Sequence, residues 1–125
     1  FISGVIMYDE TIRQETDDGL LLVSLLKNRG IIPGVKVDIG VKDLPLAQGE
    51  KITEGLDGLS DKLEEYSALG VRFAKWRAVI TIASNLPSQY CIETNAHALA
   101  RYVALCQEAG IVPIVEPEVD WSTDP

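Results

Sequence analysis

Gly70-Val71-Arg72-Phe73-Ala74-Lys75-Trp76-Arg77 is a glycine, a short run that is mostly apolar, and two cations two residues apart. The same arrangement recurs forty residues to either side. Gly30 leads through Ile32 to Val37 toward Lys36 and Asp38, and Gly110 leads through Ile111 to Val115 toward Glu116 and Glu118. A glycine just past a helix adopts the left-handed conformation at little cost, so each of the three reads as a helix stop that feeds a strand. Within a strand, residues i and i+2 share a face. Each charged pair therefore lies on one face, at the carboxyl end of its strand.

Working outward, Ile2 to Tyr8 reads as a first strand, Asp9 to Gly19 as a polar turn, and Leu20 to Arg29 as a helix with a stripe of Leu22, Leu25 and Leu26. Ile32 to Val37 is a nearly apolar strand, as expected for a parallel strand covered on both sides, and Gly40 ends it. Gly40 to Glu54, with Pro45 and Gly49, is long for a strand-to-helix connection. It reads as a functional loop, a small hairpin or a plain surface excursion. Leu56, Leu59, Leu63 and Tyr66 mark a second helix, and Val71 to Ile82 a third strand. Pro87 and Ser88 suit the start of a third helix, with Ile92, Leu99, Val103 and Cys106 on its buried face. Ile111 to Val115 is the fourth strand.

Strands alternating with helices imply a parallel sheet built by right-handed crossovers. Doubly wound sheets and barrels both satisfy this. Polar residues end three strands at the same relative position, whereas a doubly wound sheet gathers its site at one switch point, and this favours a barrel. A complete (β/α)8 TIM barrel takes about 250 residues, so residues 1–125 read as one partial barrel domain of about four βα units. The chain opens on Phe1 and closes on Trp121 to Pro125 with no helix over the last strand. Further sequence is expected before and after.

With 46% apolar and 24% charged residues, the composition is that of a globular domain. Nineteen acidic against eleven basic side chains give a net charge of −8, which disfavours nucleic acid and anionic membranes as partners. No apolar stretch approaches the roughly 20 residues that span a bilayer, and no secretion signal opens the chain. A soluble, cytoplasmic protein is expected. Cys91 and Cys106 are fifteen residues apart on one helix, about 22 Å at 1.5 Å per residue, too far for a disulfide within it. His97 sits between Glu93 and Arg101 at helical spacing, which suits a solvated face, and no metal is expected.

A lysine inside an apolar strand is costly to bury unless it is paired or reaches water, so Lys36, Lys75 and Arg77 need a reason. One reason is an internal ion network, with Lys75 and Arg77 facing Glu116 and Glu118. The other is an anionic substrate gripped at the strand ends. Glu116 and Glu118 add carboxylates able to act as acid or base, and a lysine amine can form an imine with a carbonyl. Gly-rich phosphate loops, serine-nucleophile motifs and cysteine–histidine arrangements are absent from the sequence.

At these residues the chain resembles the class I fructose-bisphosphate aldolases. Phe73-Ala74-Lys75-Trp76-Arg77 and Ile111-Val112-Pro113-Ile114-Val115-Glu116-Pro117-Glu118 look like matching strands of that family. Gly4-Val5-Ile6 with Glu10-Thr11, Gly34-Val35-Lys36-Val37-Asp38, Gly55-Leu56-Asp57-Gly58-Leu59-Ser60 and Leu99-Ala100-Arg101-Tyr102 look like it too, in the same order. The resemblance implies strands two to five of a TIM barrel. It also implies metal-free, cofactor-free, reversible cleavage of fructose 1,6-bisphosphate through a lysine imine, a step of glycolysis and gluconeogenesis.

Carried over, Glu116 would be the general acid/base, Lys75 would stabilise charge beside it, and Glu118 would join the network around the imine. Lys36, Arg77 and Asp38 would belong to the substrate-binding side. Ile39 departs from the lysine common in the family. The imine-forming lysine belongs to a later strand, so the segment alone is expected to be inactive and to need the remainder of its barrel or to form homo-oligomers. A noncatalytic module that binds phosphosugars or associates with itself is the competing reading, motivated by open sheet edges.

Overall fold

The computed structural model describes residues 2–121. Phe1, which the strand reading adjoins, and the tail from Ser122, read above as leading into a following segment, lie outside the described residues. The elements in chain order are β1 (Gly4–Met7), α1 (Asp9–Ile12), α2 (Leu22–Asn28), β2 (Ile32–Lys36), β3 (Gly40–Asp43), β4 (Lys51–Glu54), α3 (Leu59–Leu69), β5 (Phe73–Ile82), α4 (Gln89–Glu108) and β6 (Val112–Trp121).

The three repeated glycines do the same work. Gly30, Gly70 and Gly110 have φ of 73°, 102° and 74°. At each, the following residue donates its N–H to the carbonyl five positions back: Ile31 to Leu26 at 2.9 Å, Val71 to Tyr66 at 3.0 Å and Ile111 to Cys106 at 2.8 Å. This paired-bond ending satisfies two otherwise orphaned helix carbonyls and aims the chain into the next strand.

Four strands form a parallel sheet in the order β1-β2-β5-β6. That order follows the chain without reversal, so there is no switch point of the doubly wound kind, and the winding is that of part of a barrel. On β5, Ala74, Trp76 and Ala78 are buried whereas Phe73, Lys75 and Arg77 are only half-buried. The buried side packs with Val35, Leu59, Leu63, Tyr66, Tyr102 and Ile111 into one core. There the Trp76 and Tyr102 rings stack with centroids 5.2 Å apart. No helix among the described residues covers the opposite face, and Ile6, Ile32, Val112 and Ile114 stand exposed on the strands.

Four local readings are refined. The segment Asp9 to Gly19 begins with a helical turn, because Ile12 is fully buried while Asp9 and Glu10 sit in the first turn. The segment from Gly40 to Glu54 is a hairpin, β3 and β4 pairing antiparallel from Gly40↔Glu54 to Asp43↔Lys51.

The last strand runs to Trp121 rather than stopping at Val115, in register with β5 from Phe73↔Val112 to Ile82↔Trp121. Pro113 and Pro117 do not end it. Val112 donates its N–H to Arg72 across the ladder, and alternation turns the odd-numbered nitrogens to the open edge, where a proline loses no bond. Ile92 is 44% exposed rather than buried. The buried face of α4 is Cys91, Asn95, Ala98, Tyr102 and Cys106, with Leu99 and Val103 flanking it. No helix among the described residues is long and apolar enough to cross a membrane.

Gly55, where β4 leaves the hairpin, has φ of 137°, and a Cβ there would lie 3.1 Å from both Asp38 Cα and Ile39 N. Strain and backbone contact act together, so Gly55→Ala should destabilise the chain by about 2–3 kcal/mol. The urea midpoint measures this, and an unchanged midpoint would contradict the close approach.

Candidate functional site

Parallel strands turn every second side chain to the uncovered face, and register gathers the expected residues there. Lys36 stands beside Lys75, and Arg77 beside Glu116. Lys36 Nζ lies 2.9 Å from Asp38 Oδ1, Lys75 Nζ lies 2.6 Å from Glu116 Oε2, and Arg77 Nε donates to Glu118 Oε2. The Lys75–Glu116 pair is an ion contact without hydrogen-bond alignment, and Glu116 Oε2 is itself buried. Glu118 holds the Arg77 guanidinium above its already high pKa.

Both readings of the cations are therefore compatible with the geometry. The internal pairs form, three cations against three carboxylates. Yet the Lys75, Glu116, Arg77 and Glu118 side chains keep 30–44% of their surface in water. Pairs this exposed contribute about 0–1 kcal/mol each. An incoming phosphate, with more charge and more acceptors, can displace a carboxylate from such a pair at small cost.

Asp38 differs from the other five. Its side chain is 1% exposed. Oδ1 accepts from Lys36 Nζ at 2.9 Å and from the Gly40 N–H at 3.1 Å, while Oδ2 accepts from the Arg77 N–H at 3.1 Å. Its oxygens are occupied by protein donors.

Sequence reasoning missed the support under the site. Thr53, 4% exposed, donates its hydroxyl to the Arg77 carbonyl at 2.7 Å. Glu50, 2% exposed, accepts from the Ser88 amide at 3.0 Å and from the Ser88 hydroxyl at 2.5 Å. Ser88 Oγ in turn caps α4 by accepting from the Cys91 N–H at 3.1 Å, and Asn95 Nδ2 donates to the Lys51 carbonyl at 3.0 Å. These bonds fasten the hairpin to α4. Burial pushes the Glu50 carboxyl up, but the Ser88 hydroxyl and amide together with Cys91 outweigh it and leave it below the ordinary glutamate value. The Ser88 signal was legible as a helix start. A lone glutamate after a glycine carries none.

Burial pushes the Cys91 and Cys106 thiols up to about 11, so both are packed thiols rather than nucleophiles. His97 is exposed. Among the described residues no group of three or more His, Cys, Asp or Glu side chains is arranged to hold a metal. A cleft of about 500 Å³ lies at the other end of the same face, lined by Gly4, Ile32, Phe73, Val112 and Ile114 among others. Among the described residues, Arg72 is its only charged lining residue, so the candidate site is the charged end.

Comparison with known proteins agrees with the geometry. The family described as "Glycolytic: Fructose-bisphosphate aldolase class-I" matches residues 1–124. A probable fructose-bisphosphate aldolase class 1 of Xanthomonas campestris pv. campestris is 62% identical over 99% of the chain and 37% of its own length. The cytosolic fructose-bisphosphate aldolase 6 of Arabidopsis thaliana is 53% identical over 98% of the chain and 35% of its own length. A solved fructose-bisphosphate aldolase from Plasmodium falciparum, in complex with TRAP and a small-molecule inhibitor, superposes with a TM-score of 0.88. It is 47% identical, over 94% of the chain and 35% of that structure. The chain spans a little over a third of the length of these relatives.

Glu50 ties the hairpin down as a carboxylate, so its stabilisation is complete above about 4.3, the ordinary glutamate value, and is lost as pH falls through its lower folded value. Glu50→Gln should cost about 1–3 kcal/mol at neutral pH and flatten the loss of stability on acidification. Urea midpoints between about pH 3 and 7 test this; a parallel pH profile in parent and variant would refute it.

Proposed function

The chain belongs to the class I fructose-bisphosphate aldolase family, and from that premise we propose that it supplies part of the active site of a barrel that cleaves fructose 1,6-bisphosphate reversibly to dihydroxyacetone phosphate and glyceraldehyde 3-phosphate. The observation that carries the reading is the Lys75–Glu116 contact of 2.6 Å beside Lys36 and Arg77 on the uncovered face. An acid–base pair there has cations within reach for a phosphorylated sugar.

In this reading a lysine outside residues 1–125 forms an imine with the sugar's C2 carbonyl, releasing water. Glu116 first serves as acid, giving a proton to the departing hydroxyl, and then as base toward the C4 hydroxyl. As the C4 oxygen becomes a carbonyl, the C3–C4 bond breaks and its electron pair moves into the iminium, giving an enamine and free glyceraldehyde 3-phosphate. Protonation of the enamine and hydrolysis of the imine release dihydroxyacetone phosphate. Lys75 stabilises the negative charge that develops beside Glu116, and Glu118 steadies the network. Lys36 and Arg77 face a phosphate group.

The remainder of the barrel is the partner this site requires, and homo-oligomers of the complete barrel are part of the proposal. The relative named as cytosolic supports a cytoplasmic setting in glycolysis and gluconeogenesis.

In a complete barrel carrying these residues, Glu116→Gln and Lys75→Ala should each lower cleavage by roughly 10²-fold or more. Near-normal turnover in either would overturn the roles. Borohydride with dihydroxyacetone phosphate should leave one trapped adduct on the complete barrel and none on residues 1–125 alone, read by intact mass. An adduct on the short chain would make one of its own lysines the nucleophile.

A further inference from the structure

A strand residue turns its N–H and its C=O toward the same neighbouring strand. For Arg77 that neighbour should be β2, and β2 is not there. Its ladder with β5 ends with the Val37 N–H donating to the Lys75 carbonyl at 3.1 Å. The next residue able to continue it, Ile39, donates instead to the Glu54 carbonyl of the hairpin at 2.9 Å. The chain has turned away, and both peptide groups of Arg77 face a gap in the ladder.

Two buried side chains fill the gap. Asp38 Oδ2 takes the Arg77 N–H at 3.1 Å, and Thr53 Oγ1 gives its proton to the Arg77 carbonyl at 2.7 Å. The other oxygen of the same Asp38 carboxylate holds Lys36 Nζ at 2.9 Å. Thr53 is 4% exposed, so it lies behind the open face rather than in it.

We infer that Asp38 and Thr53 are positioning residues, a clamp that replaces two missing rungs and sets the directions in which Arg77 and Lys36 meet an anionic substrate group. The inference rests on the proposed function only for the identity of that substrate. Asp38 thereby moves from the substrate-contacting side to the support of the two cations, because its oxygens are already engaged by protein donors. Thr53 enters as a residue whose hydroxyl, not its shape, matters to phosphate binding.

The test uses a complete barrel carrying these residues, with inorganic phosphate as the binding probe and fructose 1,6-bisphosphate as substrate. Thr53→Val keeps the branched shape and removes the hydroxyl; Thr53→Ser keeps the hydroxyl. The valine variant should raise the phosphate Kd and the substrate KM together by roughly 2- to 10-fold, the range for one hydrogen bond, with kcat within about 2-fold of the parent. The serine variant should restore both. Asp38→Asn, which removes the charge shared by Lys36 and the Arg77 amide, should weaken phosphate at least as much and serves as the second variant if valine does not fold. A valine or asparagine variant with parental phosphate Kd overturns the clamp, as does a parent with no phosphate affinity. A parent that binds phosphate but cleaves no fructose 1,6-bisphosphate overturns the aldolase reading, and the phosphate titration still decides the clamp.

Discussion

The Asp38 carboxylate is the interaction on which the charged end of the sheet depends. A carboxylate removed from water costs several kcal/mol unless donors replace its hydration. Here the ammonium of Lys36 and the N–H groups of Gly40 and Arg77 do so. One group thereby joins the end of β2, the turn into the hairpin and the middle of β5. Because the chain turns away before its ladder reaches Arg77, the Asp38 carboxylate takes the Arg77 N–H that the ladder leaves. Gly55 belongs to the same knot, since only a residue without a side chain lets β4 pass within contact of Asp38 and Ile39.

The hairpin is the second part of that support, and its anchor is remote from the chemistry. Glu50 and the Lys51 carbonyl bind Ser88 and Asn95 at the start of α4, and Tyr90 donates to the Pro45 carbonyl at 3.0 Å. The long helix therefore does two things. Its far end packs Tyr102 and Cys106 into the core, and its near end holds the hairpin that carries Thr53. A small displacement at the Glu50–Ser88 contact would reach Arg77 through one strand, without touching any charged group of the open face.

The regular parts of this arrangement were legible in the sequence because periodic causes produced them. The glycines at 30, 70 and 110 repeat one helix ending, and the charges two residues apart follow from the strand period. The less regular parts depend on tertiary partners. Asn95 is polar and still faces the core, since its amide finds the Lys51 carbonyl across the structure, and that shifted the buried stripe of α4 away from Ile92. The last strand continues past Val115 through Pro117 because that residue's nitrogen faces an open edge. Thr53 bonds a carbonyl twenty-four residues away, and local pattern carries no sign of such a contact. Roles for Lys36, Lys75, Arg77, Glu116 and Glu118 came from family resemblance; spacing alone admitted both an ion network and an anion pocket.

Those two readings converge once the uncovered face is considered. Along β2, β5 and β6 it runs from apolar, at Ile32, Phe73, Val112 and Ile114, to charged at the carboxyl ends. With the face open to water, each ion pair is screened and weak. Covering the apolar half with the remaining strands of a barrel would bury the exposed Ile32, Val112 and Ile114 and lower the dielectric around the charged half. Attraction between fixed charges rises as the dielectric falls, and so does the cost of leaving a cation without a partner. Under the proposed function, the carboxylates that pair with Lys75 and Arg77 in the partial barrel would keep these cations neutralised in a closed barrel until a phosphate arrives, and the ion network would be the resting state of the anion pocket.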